Sequence, residues 1–352
     1  MATIRDVAQL AGVGIGTASR VVSGKGAVSA ATALKVKQAI DALDFRPSHA
    51  ARTLLSGSSQ MIGVYIPLLK GTFYTPILQT IDTELRLSEL HMVVAFGCGD
   101  GDVRQQAIEG VNFLVERGCD GLVVMSNALI EDDIQSIGPK KDRLVALNFF
   151  FEGSPDQCFH ADHTRGGILA AQTLLQLRHR QFAVIAGPQS APDNVARIAA
   201  FMAELARNGV DTNEITTISS DFSPEGGWAS ASALIASGHK FTALFCANDE
   251  MAVGALSFFQ HMGISVPHNI SVLGYDDTAS AEYSAPRLTT VHIPWREITL
   301  NALRHLLNLC YGSNHSIVRE FPVSVTWRAS VVMAQSGALT PVRRRNTRQK
   351  TV

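Results

Sequence analysis

Asp6-Val7-Ala8-Gln9-Leu10-Ala11-Gly12-Val13-Gly14-Ile15-Gly16-Thr17-Ala18-Ser19-Arg20-Val21-Val22 is the stretch that decides the fold. Two short apolar-faced segments meet at Gly12-Val13. The first opens with Thr3 and places Asp6 three residues on, a start close to a capping box. Ile4, Val7, Ala8 and Ala11 recur at three and four, the spacing of one helical face. Gly12 allows the left-handed turn that stops a helix. The second segment has its own small or apolar face in Ala18, Val21 and Val22, with Thr17, Ser19 and Arg20 between them. Two short helices with glycine in the turn make either a helical hairpin of an ordinary bundle or a helix-turn-helix, whose second helix enters the DNA major groove.

Downstream, Ser29 caps a third helix with the face Ala33, Val36, Ile40 and Leu43, ended at Phe45-Arg46-Pro47. Residues 48–55 form a very short helix candidate, with Ser48 as N-cap and Gly57 as stop. A helix that short is marginal alone and needs a partner to order it.

These residues carry a resemblance. Thr3-Ile4-Arg5-Asp6-Val7-Ala8, Ala11-Gly12-Val13, Thr17, Ser19-Arg20-Val21, Arg46-Pro47 and Ala51-Arg52 with Leu54 resemble the headpiece of the lactose repressor / galactose repressor family of bacterial transcription regulators. The similarity runs to about residue 335. It implies a helix-turn-helix headpiece (1–46), a hinge helix and linker (47–60), a body for effector binding and dimerisation (61–336), and a basic tail (337–352) expected to be disordered.

Charge agrees with that division. Residues 1–57 hold seven Lys/Arg against three Asp/Glu, and residues 341–352 hold five Lys/Arg and no acid, although the whole chain is at −1. A basic head on an acidic body suits phosphate contact at one end only. The tail has a plain alternative, a soluble basic segment. No apolar run reaches transmembrane length, and the polar, capped N-terminus lacks a signal-peptide core. Five scattered cysteines without a Cys-x-x-Cys pair point to reduced thiols in a cytoplasmic protein and away from structural zinc.

From Met61 the pattern changes to α/β. Strands are expected at 61–69, 91–96, 122–125 and 144–149, with helices at 76–90 and 103–117 between them. The alternation restarts with helices at 166–177, 194–208, 224–237 and 250–262 and strands at 182–186, 215–219, 243–247 and 270–275. A strand at 290–293, a helix at 295–311 and a strand pair within 318–332 close the body. Two α/β lobes with parallel sheets suit a small ligand in the cleft between them. The resemblance implies the periplasmic-binding-protein-like fold, with lobes of 61–161 plus 290–320 and 162–289 plus 321–336.

Polar residues just after strand runs are the effector-site candidates: Asn148, Asn248 and Asp276, with Arg197 on the helix after Gly187-Pro188. They supply the paired donors and acceptors that a polyhydroxylated ligand needs. Phe73, Tyr74 and Phe222 are candidates to stack on a sugar face. Each has a plainer alternative as a cap or a core aromatic. The resemblance favours Arg197, Asn248 and Asp276 as sugar-binding positions. The apolar Ile293 resembles galactose- and β-glucoside-type repressors more than the lactose type.

For DNA, the resemblance implies base contacts from Ile15, Gly16 and Arg20, with Thr3, Thr17 and Ser19 beside them. His49 and Arg52 would meet phosphate, and Leu54 would wedge into a minor-groove base step. Gly14 stands where similar proteins carry a capping serine, and Gly16 costs about 1 kcal/mol of helix relative to alanine. No P-loop, nucleophile elbow or metal-ligand cluster is present, so neither an enzyme nor a cofactor is expected; His160 and His163 around Asp162 are read as structural. The functional expectation is a sequence-specific repressor of sugar-catabolism genes. It acts as a homodimer on pseudo-palindromic operator DNA, away from membranes, and a sugar or sugar phosphate releases it. A corepressor-dependent regulator and a carbohydrate-binding protein without a DNA role are the alternatives.

Overall fold

The computed structural model describes residues 2–24, 26–45, 57–98 and 101–334. The headpiece holds α1 (Ile4–Leu10), α2 (Ile15–Ser23) and α3 (Ala30–Ala42). The capping box at Thr3 is formed in both directions: Asp6 accepts from the Thr3 backbone N–H at 2.7 Å, and Thr3 Oγ1 accepts from that of Asp6 at 3.4 Å. Gly12 turns the chain at φ +64°. Val7, Ala8, Ala18, Val36, Ala39 and Phe45 then close a small core of their own. The expected hinge helix, and with it His49, Arg52 and Leu54, lies outside the described residues, as does the tail from 335.

The body has two sheets. In the first, β1 (Met61–Ile66), β2 (His91–Phe96), β3 (Gly121–Val124), β4 (Leu144–Leu147) and the two-residue β5 (Cys158–Phe159) lie in the order β2-β1-β3-β4-β5, all parallel. Helices α4 (Tyr74–Leu87), α5 (Val103–Glu116) and α6 (Glu131–Ser136) serve this lobe. The second sheet takes β6 (Phe182–Ala186), β7 (Thr216–Ser219), β8 (Ala243–Cys246), β9 (Ser271–Asp276), β10 (Thr289–His292) and β11 (Ser324–Thr326) in the order β11-β10-β9-β8-β6-β7. Here only β11 is antiparallel. Its helices are α7 (His163–Gln176), α8 (Pro192–Arg207), α9 (Pro224–Ala236), α10 (Asp249–His261) and the short α11 (Ala279–Tyr283). Helices cover both faces of a parallel sheet, so its strands are apolar runs rather than alternations; β3, β4, β6 and β8 are buried throughout. Helix α12 (Trp295–Tyr311) returns to the first lobe and packs on β3, β4, β5 and α4.

Close helix packing depends on glycine. A Cβ on Gly167 of α7 would sit 2.1 Å from the Arg197 carbonyl oxygen of α8, and one on Gly227 of α9 2.1 Å from the Met251 carbonyl oxygen of α10.

Two expectations are corrected. The strand expected at 290–293 does not join the first lobe. It is β10 and belongs to the second sheet, where Thr290 pairs with Gly274 and its hydroxyl donates to the buried Asp249 carboxylate at 2.6 Å. The chain therefore crosses after His292, and the second lobe includes 289–292. The strand pair expected within 318–332 is a single three-residue strand, β11. Beyond it, isolated bonds replace a ladder: the buried Ser330 hydroxyl accepts from the Thr289 N–H and donates to the Val272 carbonyl. Helix α6 and the short helix α11 carried no usable periodicity.

Candidate functional site: an interlobe cleft and an exposed helix face

The carboxyl ends of the parallel strands face each other across the cleft, where ligands bind in open α/β sheets. All seven effector candidates, Phe73, Tyr74, Asn148, Arg197, Phe222, Asn248 and Asp276, line one cavity of about 270 Å³ there. Three of them leave the ordinary backbone regions: Asn148 at φ +58°, Phe222 at +66° and Asp276 at +106°. Such non-glycine conformations cost roughly 1–3 kcal/mol each and cluster where side chains must be aimed.

Arg197 is the centre of the cavity floor and is only 2% exposed. Nε donates to the Asp193 carbonyl at 3.2 Å and Nη1 to the Ala247 carbonyl at 2.5 Å, while Nη2 is paired with the Asp193 carboxylate. Its guanidinium carbon lies 4.1 Å from the centre of the Tyr275 ring. Burial pushes the Asp193 carboxyl up, but the Arg197 charge and the bonds it accepts hold it below the ordinary range.

The network crosses the cleft. From the first lobe, Asn127 Nδ2 donates to Asp193 at 3.0 Å and Asn148 Nδ2 at 3.2 Å. The Asn148 carbonyl oxygen then faces His163 Nε2 at 2.6 Å, and His163 Nδ1 faces the Tyr275 hydroxyl at 3.0 Å. One assignment satisfies every atom: a neutral His163 protonated on Nε2, accepting at Nδ1 from Tyr275. Burial and then the Arg197 charge drive the His163 pKa far below its ordinary value. The unfolded chain therefore takes up a proton at His163 that the folded chain refuses. The His163 contribution to the unfolding free energy should be flat above about pH 6.5 and fall as the pH drops below it, by up to about 1.4 kcal/mol per unit. Urea titrations between pH 7.5 and 5 on the native chain and His163→Gln check this; the difference between them should shrink with acidification.

Asp276 is 7% exposed, and burial pushes its carboxyl well above the ordinary carboxylate range, with the Asp249 and Asp193 charges adding to the shift against Arg197. Trp295 Nε1 reaches it at 3.4 Å, and Phe73 stands edge-on to the Trp295 ring at 5.1 Å. Asn248 fills both roles that its sequence position offers. Its Oδ1 caps α10 through the Met251 N–H at 2.9 Å and its Nδ2 donates to the Phe222 carbonyl, while the side chain still lines the cavity. Asp193, Asn127, Trp295 and Glu250 also line it, beyond the candidates that the sequence offers. Asp193 had a signal, since it stands four residues before Arg197 on one helix. Trp295 had none, because it arrives from the far end of the body. Of the two histidines flanking Asp162, only His163 joins the network; His160 Nδ1 lies 3.1 Å from the Ala161 carbonyl.

On the headpiece, Ala18 turns inward, while Ile15 (49% exposed), Gly16 and Arg20 share the outward face of α2. Thr17 and Ser19 are half-buried, and Thr3 is engaged in its cap. Gly14 caps α2 without a side-chain bond. Among the described residues no group of three His, Cys, Asp or Glu is placed to hold a metal ion, and no helix is long and apolar enough to cross a membrane.

A helix-turn-helix headpiece on a two-lobed body with a polar interlobe cavity defines the class: a DNA-binding transcriptional regulator with a periplasmic-binding-protein-like body. Residues 3–48 match the model of bacterial regulatory proteins of the lacI family, and residues 171–331 match a periplasmic binding protein-like domain. The transcriptional repressor PurR of Vibrio atlanticus is 31% identical over 316 residues, spanning 90% of this chain and 94% of PurR. A crystal structure of a LacI-family transcriptional regulator from Burkholderia phymatum is 51% identical, with a TM-score of 0.75 over 78% of this chain and 99% of that one. The lac repressor dimer bound to operator and the anti-inducer ONPF matches with a TM-score of 0.79 at 28% identity, over 94% of this chain and 99% of that one. The chain belongs to the lacI family of bacterial transcription regulators.

Proposed function

We propose that this chain is a homodimeric, cytoplasmic repressor of sugar-catabolism genes, released from a pseudo-palindromic operator by a sugar or sugar phosphate. The observation that carries the reading is the hydrogen-bonded floor of the cleft. There Asn127 and Asn148 of one lobe meet Asp193 and Arg197 of the other inside the cavity. A hydroxylated ligand exchanging bonds with these groups would favour one lobe arrangement over another. Only such a differential affinity shifts the equilibrium of a switch. Phe73, Phe222 and Trp295 supply apolar faces for the ring of such a ligand. The lac repressor crystallised as a dimer on its operator supports the same arrangement here.

On the DNA side, Ile15, Gly16 and Arg20 are the base-reading positions, and Arg20 is the one with strong hydrogen-bonding capacity toward guanine. Arg20→Ala should weaken specific binding by roughly 1–3 kcal/mol and relax preference at one base pair of each half-site. Fluorescence anisotropy on the selected operator and on single-base variants, at one salt concentration, reads both effects. A uniform loss across all sequences would reassign Arg20 to phosphate. The reading as a whole is tested by adding sugars and sugar phosphates to the chain–operator complex. Release by one of them supports it, tightening by one supports the corepressor alternative, and indifference to all refutes the sugar-responsive reading.

A further inference from the structure

The floor of the cleft leaves little positive charge for a ligand. Among the described residues Arg197 is the only buried cation lining the cavity, and its donors are already directed at Asp193 and the Ala247 carbonyl. The other lining cation, Lys70, sits at the rim with its side chain 60% exposed and pairs with Glu225 at 3.3 Å. Against these two stand four lining carboxylates, Asp193, Asp221, Glu225 and Glu250, while burial of the fifth lining acid, Asp276, favours its neutral form.

Backbone dipoles do not make up the difference. A helix N-terminus is the ordinary place for a phosphate, because its free N–H groups point at the ligand. Here those places hold the chain's own carboxylates. Helix α8 has Asp193 in its first turn and α10 has Asp249 and Glu250. Helix α9 has Glu225 in its first turn, and Asp221 binds the hydroxyl and N–H of its cap, Ser223, at 2.6 and 3.0 Å. Just ahead of α4, the Thr72 N–H and hydroxyl both donate to Glu250 from across the cleft, at 2.5 and 3.0 Å. An added phosphate would meet carboxylates at each of these points and would have to displace one to find donors.

We propose that the cleft admits an uncharged polyhydroxylated ligand and rejects its phosphate ester, with Asp221, Glu225 and Glu250 setting that choice. This rests on the sugar-responsive reading above and narrows it to the unphosphorylated form. The rejection is electrostatic. Net like charge at contact distance in a partly desolvated cleft costs several kcal/mol, more than any new hydrogen bond to a phosphate oxygen returns.

The test is calorimetric titration of the full chain, at fixed ionic strength, with matched pairs: D-glucose and D-glucose 6-phosphate, D-galactose and D-galactose 6-phosphate, D-ribose and D-ribose 5-phosphate. For the pair whose sugar binds, the ester should bind at least about 100-fold more weakly. The exposed-rim variant Glu225→Gln and the variant Glu250→Gln, whose amide oxygen still accepts from Thr72, should each narrow that ratio at least about threefold, and together about tenfold. An ester that binds as tightly as its sugar overturns this proposal and leaves the sugar-responsive reading standing. Preference for the sugar that neither variant narrows assigns the rejection to shape and overturns the charge argument. Binding of neither member of any pair overturns both.

Discussion

Replacing Arg197 by methionine should lower the unfolding free energy of the body by roughly 3–5 kcal/mol and abolish the ligand's effect on DNA binding. Methionine keeps the apolar stem of the side chain, so the loss is mainly one of charge and hydrogen bonds. It leaves Asp193 buried at the lobe interface without its counter-charge, while Asn127 and Asn148 still donate to it. It also strips the Ala247 carbonyl of its donor and removes the cation from the Tyr275 face. The second variant decides between this account and simple misfolding. Arg197→Met with Asp193→Asn removes both charges and should recover part of the lost stability, since breaking one partner of a buried pair is worse than removing both. Urea unfolding of the native chain, both single variants and the double variant completes the cycle. Additive losses would mean that the pair does not hold the cleft floor together.

Cutting the headpiece from the body should produce the second large effect. An isolated 1–57 fragment should bind the operator of the intact protein about 10²–10⁴-fold more weakly. Among the described residues the headpiece closes a core of six buried apolar residues, and the proposed reading helix α2 has nine residues. In the proposed dimer, two headpieces joined through the body would meet the second half-site at high effective concentration, whereas two free fragments pay the association cost twice. On the proposed reading of α2 the shortfall should be large, because Gly14 and Gly16 would leave each half-site contact poor in side-chain hydrogen bonds. Anisotropy titrations of fragment and full chain on one duplex at one salt concentration measure the ratio. Equal affinities would eliminate any role for the body in operator binding.

The sequence made the headpiece legible because its signals are local. Thr3, Asp6, Gly12 and Ser29 each act within four residues of themselves, and each does in the structure what its spacing implies. The alternation of the body was legible for a related reason. Strands covered on both faces must be apolar throughout, and α12 between Trp295 and Tyr311 has the bounds its periodicity gives. What failed was non-local. Nothing in Thr289–His292 states which sheet it joins; that is decided by its pairing with β9 and by the Thr290 bond to Asp249, forty-one residues away. The cleft was partly legible, since polar residues that follow buried strands at the carboxyl edge have only the cleft to face. Yet Asp193, the partner that neutralises Arg197 from the same helix, follows no strand and so lacks that signal. The carboxylates that crowd the helix N-termini became visible as a set only when four helices were brought to one place.

The measurement that tests the central claim most directly is selection from a pool of random duplexes at fixed salt, repeated with a panel of sugars and their phosphate esters. The account predicts an enriched pseudo-palindrome, its half-sites about one helical turn apart centre to centre, that is lost when one unphosphorylated sugar is present. No enriched sequence under any condition, from a folded full-length chain, would contradict it.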